Sequence, residues 1–232
     1  MKTAGIVGGI GPESTIEYYR TIVGEYRQRS PDGSSPSLLI DSIDVRRLLA
    51  LFEPGRRSEL KDYLLDSLQR LARAGADFGV FAANTPHIVF DEVQRESPLP
   101  LVSIVEATCD EVDSVGLRRV ALLGTKFTMQ GSFFADVFAR RGVDLVVPDE
   151  EGQNRVHDIY VSELLNDIFD PASLEAILAI VDEMHRRDHI EGVVLGGTEL
   201  PLLLKRDRHG SVRFFDTTRI HCSRIVTELL AE

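Results

Sequence analysis

Two stretches of this chain end an apolar run in residues that can do chemistry. They are Phe81-Ala-Ala-Asn-Thr-Pro-His87 and Leu195-Gly-Gly-Thr-Glu-Leu-Pro201. The amide of Asn84 and the hydroxyls of Thr85 and Thr198 suit the orientation of a small polar ligand. The same residue types are favoured as helix N-caps, and a strand-to-helix turn accommodates both roles. His87 ordinarily titrates near neutrality, so it reads either as a general base or as a hydrogen-bonded structural histidine. Glu199 reads as a general acid or base, or as a favourable charge in a first helical turn.

A glycine-rich turn, Gly8-Gly-Ile-Gly-Pro-Glu13, closes the first apolar run. Gly9, Ile10 and Gly11 offer backbone N–H groups to a carboxylate at a helix start, or simply build a tight turn. The pattern GxGxxG is not matched from any of these glycines, which weakens a dinucleotide reading. Thr125, Thr128 and Gln130 bring hydroxyl and amide groups to a comparable turn after Gly124. Arg46, in the pair Arg46-Arg47, is placed to grip a distal carboxylate or to lie solvated at a helix start. No serine sits in a GxSxG elbow, and the remaining histidines show no metal-ligand spacing.

Alternating elements must position these groups. Short apolar runs at 3–7, 37–40, 78–82, 101–103, 119–123, 144–147, 192–195 and 212–215 read as strands. Amphipathic segments at 13–29, 56–74, 104–115, 130–141, 154–168, 173–186 and 219–230 read as helices. Several strands are apolar on both faces, as in a parallel sheet covered by helices. The chain also resembles itself: the turn at Gly8 aligns with that at Gly124, and Asn84 with Thr198. Gly8 and Asn84 lie 76 residues apart, Gly124 and Thr198 74 apart. The expectation is an α/β fold of two pseudo-symmetric lobes, each a mainly parallel sheet flanked by helices, with an active-site cleft between them. Residues 1–98 form the first lobe, joined by a C-terminal helix near 217–232, and residues 99–216 form the second. Ligands of such sheets gather beyond the strand carboxyl ends, where all four turns sit.

Composition narrows the partners. The 232 residues are 43% hydrophobic, enough for a substantial core, and the net charge is −11. That average field disfavours nucleic acid and anionic membrane. No apolar run approaches the roughly 18 residues of a membrane span. The N-terminus lacks the shape of a signal peptide, and Cys109 and Cys222 form no CxxC pattern, so a soluble, cytoplasmic protein without a metal is expected.

Gly8-Gly-Ile-Gly-Pro-Glu13, Asn84-Thr85 with His87, and Gly196-Gly-Thr-Glu-Leu-Pro-Leu202 together resemble the aspartate/glutamate racemase family of amino-acid racemases. The resemblance runs from the N-terminus to Asp216-Thr-Thr-Arg-Ile-His221. It implies a homodimer, no cofactor (PLP in particular), and a small carboxylate or amino acid as ligand. It also implies two cysteines acting on opposite faces of the substrate α-carbon, before Asn-Thr and before Thr-Glu. Here those positions are Ala83 and Gly197, and neither side chain carries a proton. A family lysine that holds substrate falls at Asn166. Three functions fit: an isomerase or lyase using non-cysteine acid/base groups, a non-catalytic small-acid binding protein, or an interaction module that kept the fold.

Overall fold

The computed structural model describes residues 2–53 and 55–231. The chain divides into two compact units, Met1–Ile104 with His221–Glu232, and Val105–Ile220.

In the first unit β1 (Thr3–Gly8) turns into α1 (Pro12–Arg29), followed by β2 (Ser37–Ser42), α2 (Val45–Ala50) and α3 (Arg57–Arg73). Then come β3 (Phe78–Phe81), a 3-10 turn (Thr85–Val89) and α4 (Phe90–Glu96). The strands pair in parallel in the order β2-β1-β3. Side chains alternate across the sheet. Ala4, Ile6, Phe78, Val80 and Ala82 cluster with Tyr18, Ile22 and Tyr26 of α1 and with Cys222, Ile225 and Val226 near the C-terminus. Val7 and Phe81 point the other way and cluster with Leu60, Leu64 and Leu68 of α3. Both faces of β1 and β3 are covered, which is why these two strands are almost wholly apolar, whereas the edge strand β2 carries Ser37, Asp41 and Ser42.

The second unit is entered through α5 (Ile104–Ser114) and runs β4 (Arg119–Gly124), α6 (Lys126–Gln130), α7 (Ser132–Arg140), β5 (Asp144–Val146) and α8 (Glu150–Ser162). A 3-10 turn (Leu164–Asn166), α9 (Pro171–Asp188), β6 (Gly192–Gly196), α10 (Leu200–Leu204), β7 (Arg208–His209) and β8 (Val212–Asp216) complete it, and α11 (Thr217–Leu230) returns the chain to the first unit at His221. The strand order is β5-β4-β6-β8-β7, parallel except for β7 against β8. In each unit the first strand lies between the second and the third, β1 between β2 and β3 and β4 between β5 and β6. The internal repeat read from the sequence therefore has a topological counterpart.

Four expectations shift. The strand expected at 101–103 is reduced to a bridge between Gly79 and Leu101, because helix α5 begins at Ile104. Gly79 N–H still donates to Pro100 O (2.9 Å) and Val102 N–H to Gly79 O (3.0 Å), so this segment stays with the first sheet. The change of unit accordingly falls at Ile104–Val105, inside α5, rather than at residue 98. Helix α8 starts before residue 154, because Asp149 caps it by accepting the Gly152 N–H at 2.9 Å. Helix α2 was not foreseen; Asp44 caps it through Arg46 N–H.

Candidate active site

In the first unit the Gly8–Glu13 turn is held by its own hydrogen bonds. Gly9 has φ +78°, and a β-carbon there would run into the Ile43 backbone, so only glycine fits. The Gly9 N–H donates to Thr15 Oγ1 (2.9 Å), and that hydroxyl donates to Gly11 O (3.3 Å). Pro12 has no N–H to offer, so the anion-binding capacity of this turn is smaller than its glycine content suggests. Ile10 is half-buried and packs on the first unit's core. Arg46 is exposed, and its side chain makes no ion pair among the described residues.

At the end of β3, Ala83 and Asn84 are buried and Thr85 half-buried. Asn84 does not cap the following 3-10 turn with its side chain. His87 is buried, stacked on Phe90 at 4.9 Å between ring centroids and met edge-on by Phe81. Its Nε2 accepts the Ile104 N–H (3.2 Å), which leaves the proton on Nδ1 to be donated to Asn84 O (3.2 Å). Burial first, and the nearby His221 second, push the His87 pKa down to about 3. A neutral imidazole with both nitrogens committed to backbone has neither a free lone pair nor a free proton.

In the second unit Thr125 caps α6, its Oγ1 accepting the Thr128 N–H at 3.4 Å and lying 3.2 Å from Thr128 Oγ1. Thr128 is fully buried. His157 Nδ1 accepts the Lys126 N–H at 3.3 Å, and burial lowers its pKa. The most concentrated chemistry lies after β6. Glu199 is only 7% exposed, and one of its carboxylate oxygens accepts two hydroxyls. One donor is Thr198 Oγ1 at 2.9 Å, and the other is the phenol of Tyr160 on α8. Tyr160 is itself buried, and its pKa is raised well above the usual phenol range by burial and then by the Glu199 charge. A β-carbon at Gly197 would lie 2.8 Å from the Tyr160 hydroxyl and 2.9 Å from its Cζ. The ring thus fills the space beside the position where the family cysteine was expected.

Tyr160 was not legible in the sequence, where it is only one residue of the helical pattern at 154–168. Nothing local ties it to Glu199, which lies 39 residues on. Asn166, at the family lysine's place, donates through Nδ2 to Val161 O and Ser162 O, both at 3.2 Å, and so closes the end of α8. Cys109 and Cys222 are buried, and burial raises the Cys109 thiol to about 11. Among the described residues no three His, Cys, Asp or Glu side chains are grouped to hold a metal, and no helix is long and apolar enough to cross a membrane.

Parallel strands flanked by helices and ending in glycine-containing polar turns place the chain in the class of parallel α/β proteins. Within that class it belongs to the Asp/Glu/hydantoin racemase family, which it matches over residues 7–225. It is similar to the broad specificity amino-acid racemase RacX of Bacillus subtilis (strain 168), at 25% identity over 206 residues and 86% of each chain. An aspartate racemase homologue from Pyrococcus horikoshii OT3 is 36% identical, with a TM-score of 0.86 and both chains covered in full. The aspartate racemase of Picrophilus torridus is 20% identical, with a TM-score of 0.77 over 99% of this chain and 94% of that one. At that identity the likeness speaks for the fold.

Proposed function

We propose that this chain binds a free amino acid or a related small carboxylate and acts as an enzyme on its α-carbon–hydrogen bond, without a cofactor and without thiol chemistry. One observation carries the reading: where a family thiol is expected after β6, a buried phenol and carboxylate are hydrogen-bonded to each other beside Gly197. An unused turn has no need of three converging oxygens out of water, because burying a carboxylate is costly unless it is paired and hydrogen-bonded. Each unit offers such a ligand polar groups at its own carboxyl-end turns, Asn84 and Thr85 in the first and Thr125 and Thr198 in the second. Arg46 supplies a cation for a second carboxylate.

The two thiols present are poor catalysts on physical grounds, since the thiolate is the reactive form and burial disfavours it at Cys109. Each enantiomer of Asp, Glu, Asn, Ala and Ser should be incubated with the protein in D2O, with binding read by ligand-observed NMR and α-proton loss by proton NMR. At least one should bind and exchange. The variant Cys109→Ala/Cys222→Ala, checked for folding by circular dichroism, should exchange within about twofold of the unmodified rate. A drop of about a hundredfold, the scale of a lost acid/base group, would return the chemistry to cysteine.

A further inference from the structure

The end of β6 differs from the end of β3 in one respect that bears on stereochemistry. After β6, the Tyr160 phenol donates to Glu199, and Thr198 Oγ1 fixes the same carboxylate oxygen at 2.9 Å. After β3, the matching residue is Ala83, and the nearby His87 has both ring nitrogens committed to Asn84 O and Ile104 N–H. Only one of the two strand ends holds a proton-bearing pair. Gly197 belongs to that arrangement, because a side chain there would collide with the Tyr160 ring.

We infer that Tyr160 and Glu199 form a proton relay acting on one face of the substrate, so that the chain exchanges an α-proton with retention of configuration instead of inverting it. This rests on the reading above that the chain acts on a small amino acid or carboxylate. In the forward step the α-carbon–hydrogen bond breaks and its electron pair stays with the substrate as an enolate. The phenol oxygen takes that proton while its own proton passes to the Glu199 carboxylate. Water exchanges both the substrate-derived proton on the phenol and the proton on Glu199. The reverse sequence returns a solvent-derived proton to the same face while Tyr160 and Glu199 recover their starting forms. Tyr160 is a neutral phenol at both ends of the step, which suits its burial and its raised pKa. Inversion needs a second proton donor; at the end of β3 Ala83 carries only a methyl group, and both ring nitrogens of His87 are committed to backbone.

The test uses the full chain, Tyr160→Phe and Glu199→Gln, with the same ten enantiomers in D2O. Proton NMR reads exchange, chiral chromatography reads configuration, and ligand-observed NMR reads binding. The expected result is exchange of one enantiomer without appearance of the other. Both variants should lower kcat by at least about a hundredfold, the usual effect of losing an acid/base group, with KM changed less than about threefold. Tyr160→Phe keeps the ring, so a folded and binding-competent variant is expected. Exchange accompanied by inversion would overturn the relay, as would exchange that survives Tyr160→Phe. Binding without exchange by the unmodified chain would also overturn it while leaving ligand recognition in place. Failure of all ten to bind would instead overturn the reading on which the relay rests.

Discussion

Gly197 does not adopt a positive φ, so its backbone would accept any side chain. What excludes one is Tyr160, whose hydroxyl and Cζ would stand 2.8 and 2.9 Å from a new β-carbon. Restoring a thiol at this position is therefore a packing problem before it is a catalytic one. Gly197→Cys should destabilise the chain by about 1–3 kcal/mol, the usual cost of overpacking. Tyr160→Leu should cost about 3 kcal/mol, through the cavity and the hydrogen bond it removes. Combined, the two should cost at least ~1 kcal/mol less than their sum, because each relieves the defect of the other. Urea unfolding of the three variants measures this coupling, and simple additivity would show that the ring and residue 197 do not contend for one space. The same geometry separates residues legible in the sequence from those that were not. Asn84, Thr85, Thr198 and Glu199 stand out locally because they interrupt apolar runs. Tyr160 does not, since its role depends on a contact made only after α8 has docked beside β6. His87 was legible as a titratable group, whereas the backbone partners that fix its tautomer were not.

At the scale of elements, the β1–α1 connection shows how one hydroxyl holds a turn. Thr15 Oγ1 accepts from Gly9 N–H and donates to Gly11 O, tying the first turn of α1 back onto the end of β1. Thr15→Val keeps the branched shape and leaves Gly9 N–H, in a buried residue, without its acceptor. The expected cost is about 1–3 kcal/mol, the penalty for an unsatisfied buried donor. Amide exchange should show the loss of protection at Gly9, and unchanged protection would mean that the turn is held by other contacts. Elements of this kind were readable from sequence wherever both faces of a strand are covered. Beyond the first residues of β1 and β4, Thr3 and Arg119, the strands β1, β3, β4 and β6 are apolar and end abruptly at polar or glycine residues. Reading failed where pairing, not composition, decides. Residues 101–103 are apolar enough for a strand, yet only Leu101 bridges to Gly79 before α5 begins. β7 has two residues and exists because Gly210, at φ +58°, lets Arg208 and His209 fold back on β8. Two residues carry no periodicity to detect.

For the molecule as a whole, buried ionisable groups of opposite kind lie in different units, and this sets a test by pH. The first unit buries two histidines as neutral rings. His221 Nε2 donates to Val102 O (3.0 Å) and its Nδ1 accepts from the Tyr18 hydroxyl (2.8 Å). Burial lowers its pKa to about 4, with Arg224 acting in the same direction and the Val102 carbonyl against it. Burial likewise lowers His87 to about 3. A folded pKa below the unfolded value of about 6.5 gives stability that is complete above 6.5 and is lost as pH falls toward the folded value. Each histidine should therefore remove about 1.4 kcal/mol per pH unit below 6.5. Tyr160 in the second unit has the reverse sign. Its folded pKa lies above the ordinary value of 10.0, so its contribution is complete below pH 10 and declines as pH rises through the folded value. Hydrogen exchange read by mass spectrometry across pH 4 to 11 should show Met1–Ile104 lose protection first in acid and Val105–Ile220 first in alkali. Tyr160→Phe should remove much of the alkaline loss without altering the acid limb. If both units lose protection together at each extreme, or if the alkaline limb survives Tyr160→Phe, these buried groups do not govern the pH stability of their units.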